Sequence, residues 1–254
     1  MTERRNLELM DLTALCEAVA GDDTFAPLVR AVRQASSMSS VRNDMRRATE
    51  MLRACKTLQG KALESEQAGD DVQREEAATI QALFMQAVLW YARATHSKGK
   101  GRNKLQILNQ ISDEGRVRHE RITVLRDTYL AHFDDLKDWE AHRVVLALDL
   151  GAPAMALSYP HQSYYVRSED GEVFDRLLVE AVEIAEQAYQ TASSRLNLIL
   201  NAHFDADPIF LDRLRGRQFA PESFFPPDEI VAYVDSIGRM DADPHTSPKI
   251  ETHR

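Results

Sequence analysis

EVFDRLLVEAVEIAEQAYQTASSRLNLILNAHF, Glu172–Phe204, decides the fold class. Its apolar residues recur at helical spacing over the whole stretch, so it reads as one long amphipathic helix. Upstream, VQREEAATIQALFMQAVLWYARATH (72–96) repeats the pattern, with acids in its first turn and Ile80, Leu83, Phe84, Ala87, Val88 and Tyr91 toward a core. Ser39–Gln67 places Met45, Thr49, Leu52, Cys55 and Leu63 on a helical stripe. NLELMDLTALCEAVAG ends a further helix at Gly21, and PPDEIVAYVDSIG opens with proline and closes at Gly238, the expected asymmetry of helix ends.

These segments predict an all-α protein, a helical bundle of four to five long helices. Between them lies one stretch of different character, about 143–167: RVVLALDLG, PAMALSYP and SYYVR carry valine, tyrosine and Gly/Pro punctuation. A small β-hairpin or irregular insert is expected there, or a prolonged helix through RVVLALDL. The expected organisation is one helical domain over 1–238, with its core at about 40–205 and C-terminal helices over 208–238. The tail, 239–254, lacks apolar period and is expected to be mobile.

Apolar residues make up 44% and charged residues 28% of 254 residues, an ordinary composition for a soluble globular protein. No run of about twenty apolar residues offers a membrane span, and no apolar signal core follows the N-terminal charges. Cys16 and Cys55 have neither disulfide-framework nor metal-ligand spacing. Both are expected as reduced thiols in the cytoplasm. The net charge of −9 argues against a protein coated in nucleic acid. Yet Arg93–Arg126 holds nine Lys/Arg against Asp113, Glu114 and Glu120, a local surplus of six within an otherwise acidic chain.

At the end of this basic region stands VLRDTYLAHFDD, Val124–Asp135, on a helix expected from about Arg116 to Asp138. At about 100° per residue, Ile122, Leu125, Tyr129, Phe133 and Leu136 gather within roughly 80°. Taking Arg126 as origin, His132 falls at about 240°, with Tyr129 between them at about 300°, and about 9 Å separates Arg and His along the axis. The plainest account of such residues is that Arg126 snorkels or pairs with Asp127 while His132 is hydrogen-bonded at the core edge.

The string Arg126-Asp127-Thr128-Tyr129-Leu130-Ala131-His132 also resembles the signature of the HEPN superfamily of all-α domains. That signature is Arg, four to six residues, then His, often with a polar residue after the Arg and a small one before the His. The layout of two long helices before and one after is similar, and the resemblance covers about 40–205. It implies a metal-independent ribonuclease of antiviral-defence or toxin–antitoxin type, or a member of the family that serves as a non-catalytic module. It also implies a homodimer in which two motif helices build one composite site, and it admits an antitoxin partner.

Under that resemblance the residue types suit cleavage of RNA by its own 2′-OH. His132 would move protons and Arg126 would stabilise the charge that develops on phosphorus, with Asp127 orienting one of them. Tyr129 would either meet substrate or pack. The glycine-punctuated loop with Lys98, Lys100, Arg102 and Lys104, together with Arg118 in GRVRHER, would contact the RNA backbone. A solvated loop and a nucleic-acid-binding regulator without cleavage are the alternatives. No cofactor is expected. The histidines at 96, 119, 142, 161, 203, 245 and 253 lack HExxH or CxxC companions, so no metal site is expected, and no phosphate-binding glycine motif occurs. Ser36–Ser40 reads as a helix cap. Trp90 and Tyr91 beside Arg93 read as core, or as a stacking platform for bases.

Overall fold

The computed structural model describes residues 8–67, 74–96, 103–127, 168–231 and 233, and the backbone of four short strands within 140–163. The fold is all-α. Helix α1 (Leu12–Ala18) starts at Asp11, whose side chain accepts from the backbone N–H groups of Thr13 and Ala14. It is therefore shorter than the apolar spacing suggested, because capping by Asp11 sets its first turn. Gly21, at φ +101°, turns the chain after it, a conformation that a Cβ disfavours. A 3-10 turn, Asp23–Phe25, capped by Asp22, leads into α2 (Ala26–Gln67).

Helix α2 begins well before the expected Ser39, since Pro27 sits where its missing N–H costs nothing. Ser36–Ser40 therefore lies inside α2 and caps nothing. Ser37 is buried there and its hydroxyl accepts from the Asn103 N–H at 3.2 Å. Next come α3 (Arg74–Thr95), α4 (Asp113–Leu125), α5 (Ser168–Ala206) and α6 (Phe210–Arg215). Among the described residues no helix is long and apolar enough to cross a membrane.

In 140–163, β1 (Glu140–His142) pairs antiparallel with β4 (His161–Ser163), and β2 (Val145–Asp149) pairs antiparallel with β3 (Ala154–Ser158). The register sets Glu140 opposite Ser163 and Val145 opposite Ser158. Val145–Asp149 is thus strand and not prolonged helix, its backbone groups satisfied across the ladder.

The chain divides into two compact units, Met1–Ser40 with Lys98–Asn103 and Glu186–Arg254, and Val41–Ser97 with Lys104–Ala185. In the first, Leu15, Phe25, Leu28, Leu200, Phe210 and Leu214 form the core, and the His203 ring stacks at 5.1 Å on both Phe25 and Phe210. Backbone hydrogen bonds from Asp11 to Arg217 and from Phe219 to Leu9 hold the start of the chain to it.

The second unit holds the motif residues. Val41, Met45, Leu52 and Cys55 of α2 are buried, as are Phe84, Val88 and Tyr91 of α3, Ile122 and Leu125 of α4, and Phe174, Leu177 and Leu178 of α5. Each large apolar side chain removed from water contributes about 1.5–3 kcal/mol. Phe174 meets Phe84 and Tyr91 edge-to-face, at 5.9 and 5.5 Å between centroids. Leu63, expected on the stripe, is exposed instead, near the C-terminal end of α2.

Candidate functional site

Helix α4 is built to deliver its C-terminus to a fixed place. Ser112 caps it by accepting from the Gly115 N–H at 2.9 Å, and Asp113 and Glu114 complement the first turn. Glu180 of α5 accepts from the Ser112 N–H at 2.8 Å, from its hydroxyl at 3.1 Å and from the Arg118 guanidinium at 3.2 Å. At the far end the helix widens into a π-type turn at Arg126 and Asp127, with the Arg126 N–H aimed at the carbonyls of both Ile122 and Thr123.

Arg126 donates from Nη2 to Oδ1 of Asp127. Its Nε is buried and has no hydrogen-bond partner among the described residues. The side chain, 30% exposed, lines an open cavity of about 290 Å³ with Gln86, Leu89, Trp90, Ala92 and Arg93. Around Trp90 the cations are concentrated: Arg93 lies 4.4 Å and Arg47 4.7 Å from its ring centre. Arg93 is held there by two hydrogen bonds, 2.8 and 2.9 Å, to the buried carboxylate of Asp44. A face with two guanidinium groups and an indole edge is suited to a phosphate ester with an attached ring.

At the C-terminal end of α3, from Tyr91 to His96 just past the helix, lies a polar cluster. The hydroxyl of Tyr91 is 2.6 Å from Nδ1 of His119, and His96 stacks on His119 at 5.2 Å with an interplanar angle of 15°. Thr95 Oγ1 lies 2.8 Å from His96 Nδ1, and Thr123 Oγ1 lies 3.4 Å from His96 Nε2. Burial pushes the Tyr91 hydroxyl up, with Glu180 adding to it, so the phenol keeps its proton beside His119. His119 is pushed down to about 4, by burial first and by His96 second. His96 is also lowered, by burial first, then by Arg126 and Lys104 against the opposing effect of Asp127.

Of the residues expected at the site, Arg126 lines this cavity and Asp127 pairs with its guanidinium. Arg118 is half-buried and engaged with Glu180, and Lys104 acts electrostatically on His96. His132, Tyr129, Lys98, Lys100 and Arg102 lie outside the described residues. Tyr91 is core, whereas Trp90 is partly exposed under its two arginines. Sequence reasoning misses His96 and His119 because their companions are a phenol and two threonines. The signal that could find them is a hydroxyl-bearing residue one turn from a ring, Tyr91 to Thr95 and His119 to Thr123, on otherwise apolar faces. Among the described residues no group of three or more His, Cys, Asp or Glu is placed to hold a metal ion.

No family model, curated protein or solved structure matches the chain.

Proposed function

We propose that this chain is a HEPN-like, metal-independent endoribonuclease of a prokaryotic antiviral-defence or toxin–antitoxin system. It acts as a homodimer on RNA, with Arg126 as the phosphate-binding cation and His132 as a proton-transfer group. The observation that carries the reading is the Arg126 guanidinium, whose Nε is buried without a partner among the described residues, at the wall of a cavity shared with Trp90 and Arg93. A buried N–H left unmade costs about 1–3 kcal/mol, which an anionic oxygen bound there would recover. Asp127 holds the other edge of the guanidinium and so orients it.

Cleavage of single-stranded RNA in the presence of EDTA, leaving a 2′,3′-cyclic phosphate, is the expected result, lost in both Arg126→Ala and His132→Ala. Cleavage abolished by the chelator, or retained in both variants, refutes the assignment.

A second reading, a non-catalytic HEPN-like interaction module or nucleic-acid-binding regulator, is favoured by one observation. Arg126 already has an internal partner in Asp127. Under it, RNA binding survives His132→Ala and no product forms.

A further inference from the structure

We infer that Arg47 and Arg93, seated together on the ring of Trp90, form a second phosphate-binding subsite, which takes the phosphate next to the one at Arg126 in single-stranded RNA. This rests on the reading of Arg126 as the phosphate-binding cation of an RNA site and names two residues outside its motif.

The seat is built by two helix faces. Asp44 and Arg47 are three residues apart on α2, and Trp90 and Arg93 are three apart on α3, so each pair shares a face. Asp44 accepts from Nε and Nη2 of Arg93 at 2.9 and 2.8 Å, and the same meeting of helices sets Arg47 at 4.7 Å from the centre of the Trp90 ring. With Arg93 at 4.4 Å from that centre, the two guanidinium carbons are at most about 9 Å apart. The indole attracts both cations through its ring, yet it carries no net charge and neutralises neither.

Donors and charge are divided between the two arginines. A guanidinium has five N–H groups. Arg93 keeps both N–H groups of Nη1 and one of Nη2 without an acceptor among the described residues, while its charge is matched by Asp44. Arg47 is exposed and has neither a hydrogen bond nor a carboxylate partner among the described residues, so its charge is not offset there. An anionic oxygen at this seat meets oriented donors from Arg93 and unmatched positive charge from Arg47.

Position ties the seat to the Arg126 site. Trp90 and Arg93 line the same cavity as Arg126, and all of these residues belong to the second unit. At about 290 Å³ that cavity is at the small end of ligand sites, with room for one nucleotide unit and not for two. A strand with one phosphate on Arg126 therefore has its next phosphate at the wall, and the Trp90 wall presents two further guanidinium groups. A subsite of this kind contacts the backbone and reads no base, and Trp90 serves in it as a positioning residue for the arginines.

The test is binding of the full chain to a short single-stranded 2′-O-methyl oligonucleotide, which has no 2′-OH to attack. Arg47→Met should weaken binding by about tenfold at low salt and reduce the slope of log affinity against log salt by about 0.7, equally for adenine-rich and uracil-rich probes. Arg47→Lys, which keeps the charge and loses the fork, should restore the slope and only part of the affinity. Arg126→Met should reduce the slope by a similar amount and the double variant by about 1.4, because each site serves its own phosphate. An unchanged slope in Arg47→Met, a loss confined to one base composition, or a double variant no shallower than Arg126→Met overturns the subsite. Cleavage of unmodified RNA is scored separately: its absence, with the slopes as expected, refutes the ribonuclease reading and leaves the subsite standing. Failure of the unsubstituted chain to bind any single strand overturns both.

Discussion

The Tyr91 hydroxyl and Nδ1 of His119 share a 2.6 Å hydrogen bond, and both rings are buried. The pair holds a neutral imidazole inside the second unit, with His119 pushed down to about 4 by burial and by His96. An unfolded chain titrates the same ring near 6.5, so the unfolded state binds more protons between those values. Stability is therefore complete above about pH 6.5, falls as pH drops toward about 4, and levels below it, with a loss of roughly 3 kcal/mol from this group. His96, also lowered, acts in the same direction. Urea unfolding between pH 4 and 7 measures the slope, which should flatten in His119→Gln. Tyr91→Phe removes the hydrogen-bond partner of a buried nitrogen and should cost about 1–3 kcal/mol at pH 7.

Asp44, with 1% of its side chain exposed, accepts both hydrogen bonds from Arg93. Removing the arginine deprives a buried carboxylate of its bidentate partner and takes one cation off Trp90. Arg93→Met should lower stability by about 3 kcal/mol, whereas the same exchange at Arg47, an exposed residue, should change it by less than about 1 kcal/mol. Chemical denaturation of the two variants side by side checks the contrast.

A Cβ on Gly115 would lie 2.8 Å from Oε2 of Glu180 and 3.1 Å from Cβ of Ile111. Alanine gains about 1 kcal/mol of helix propensity. It also displaces the carboxylate that holds Ser112 and Arg118, so each of those hydrogen bonds is weakened. The second effect should win, and Gly115→Ala is expected to destabilise by about 1 kcal/mol. Restoring room with Gly115→Ala/Glu180→Asp should recover part of that stability, read from the midpoint of thermal unfolding.

Lys98, Lys100, Arg102 and Lys104 belong to the basic stretch of the chain. Replacing all four by serine should weaken RNA binding and make its logarithm fall less steeply with salt, by about 0.7 for each phosphate no longer neutralised. A fluorescence-anisotropy titration from low to high salt measures both quantities, and an unchanged slope would remove this loop from the RNA path.

Periodicity alone determined that the protein is all-α and placed Phe84, Val88, Tyr91, Ile122 and Leu125 in its interior, because burial of one helix face is written at fixed spacing along the chain. The ends of the elements were less legible. Asp11 and Pro27 moved two helix starts, since caps act through single backbone N–H groups that leave no repeat. The neighbourhood of Arg126 was legible only as far as Asp127, its neighbour in sequence. That Trp90 and Arg93 share its cavity, and that Tyr91 and Thr95 of α3 with His96 just after it lie beside His119 and Thr123 of α4, was decided by packing alone. Residues 28 positions apart share a hydrogen bond because two helix faces meet, and no spacing within either helix encodes which turn meets which.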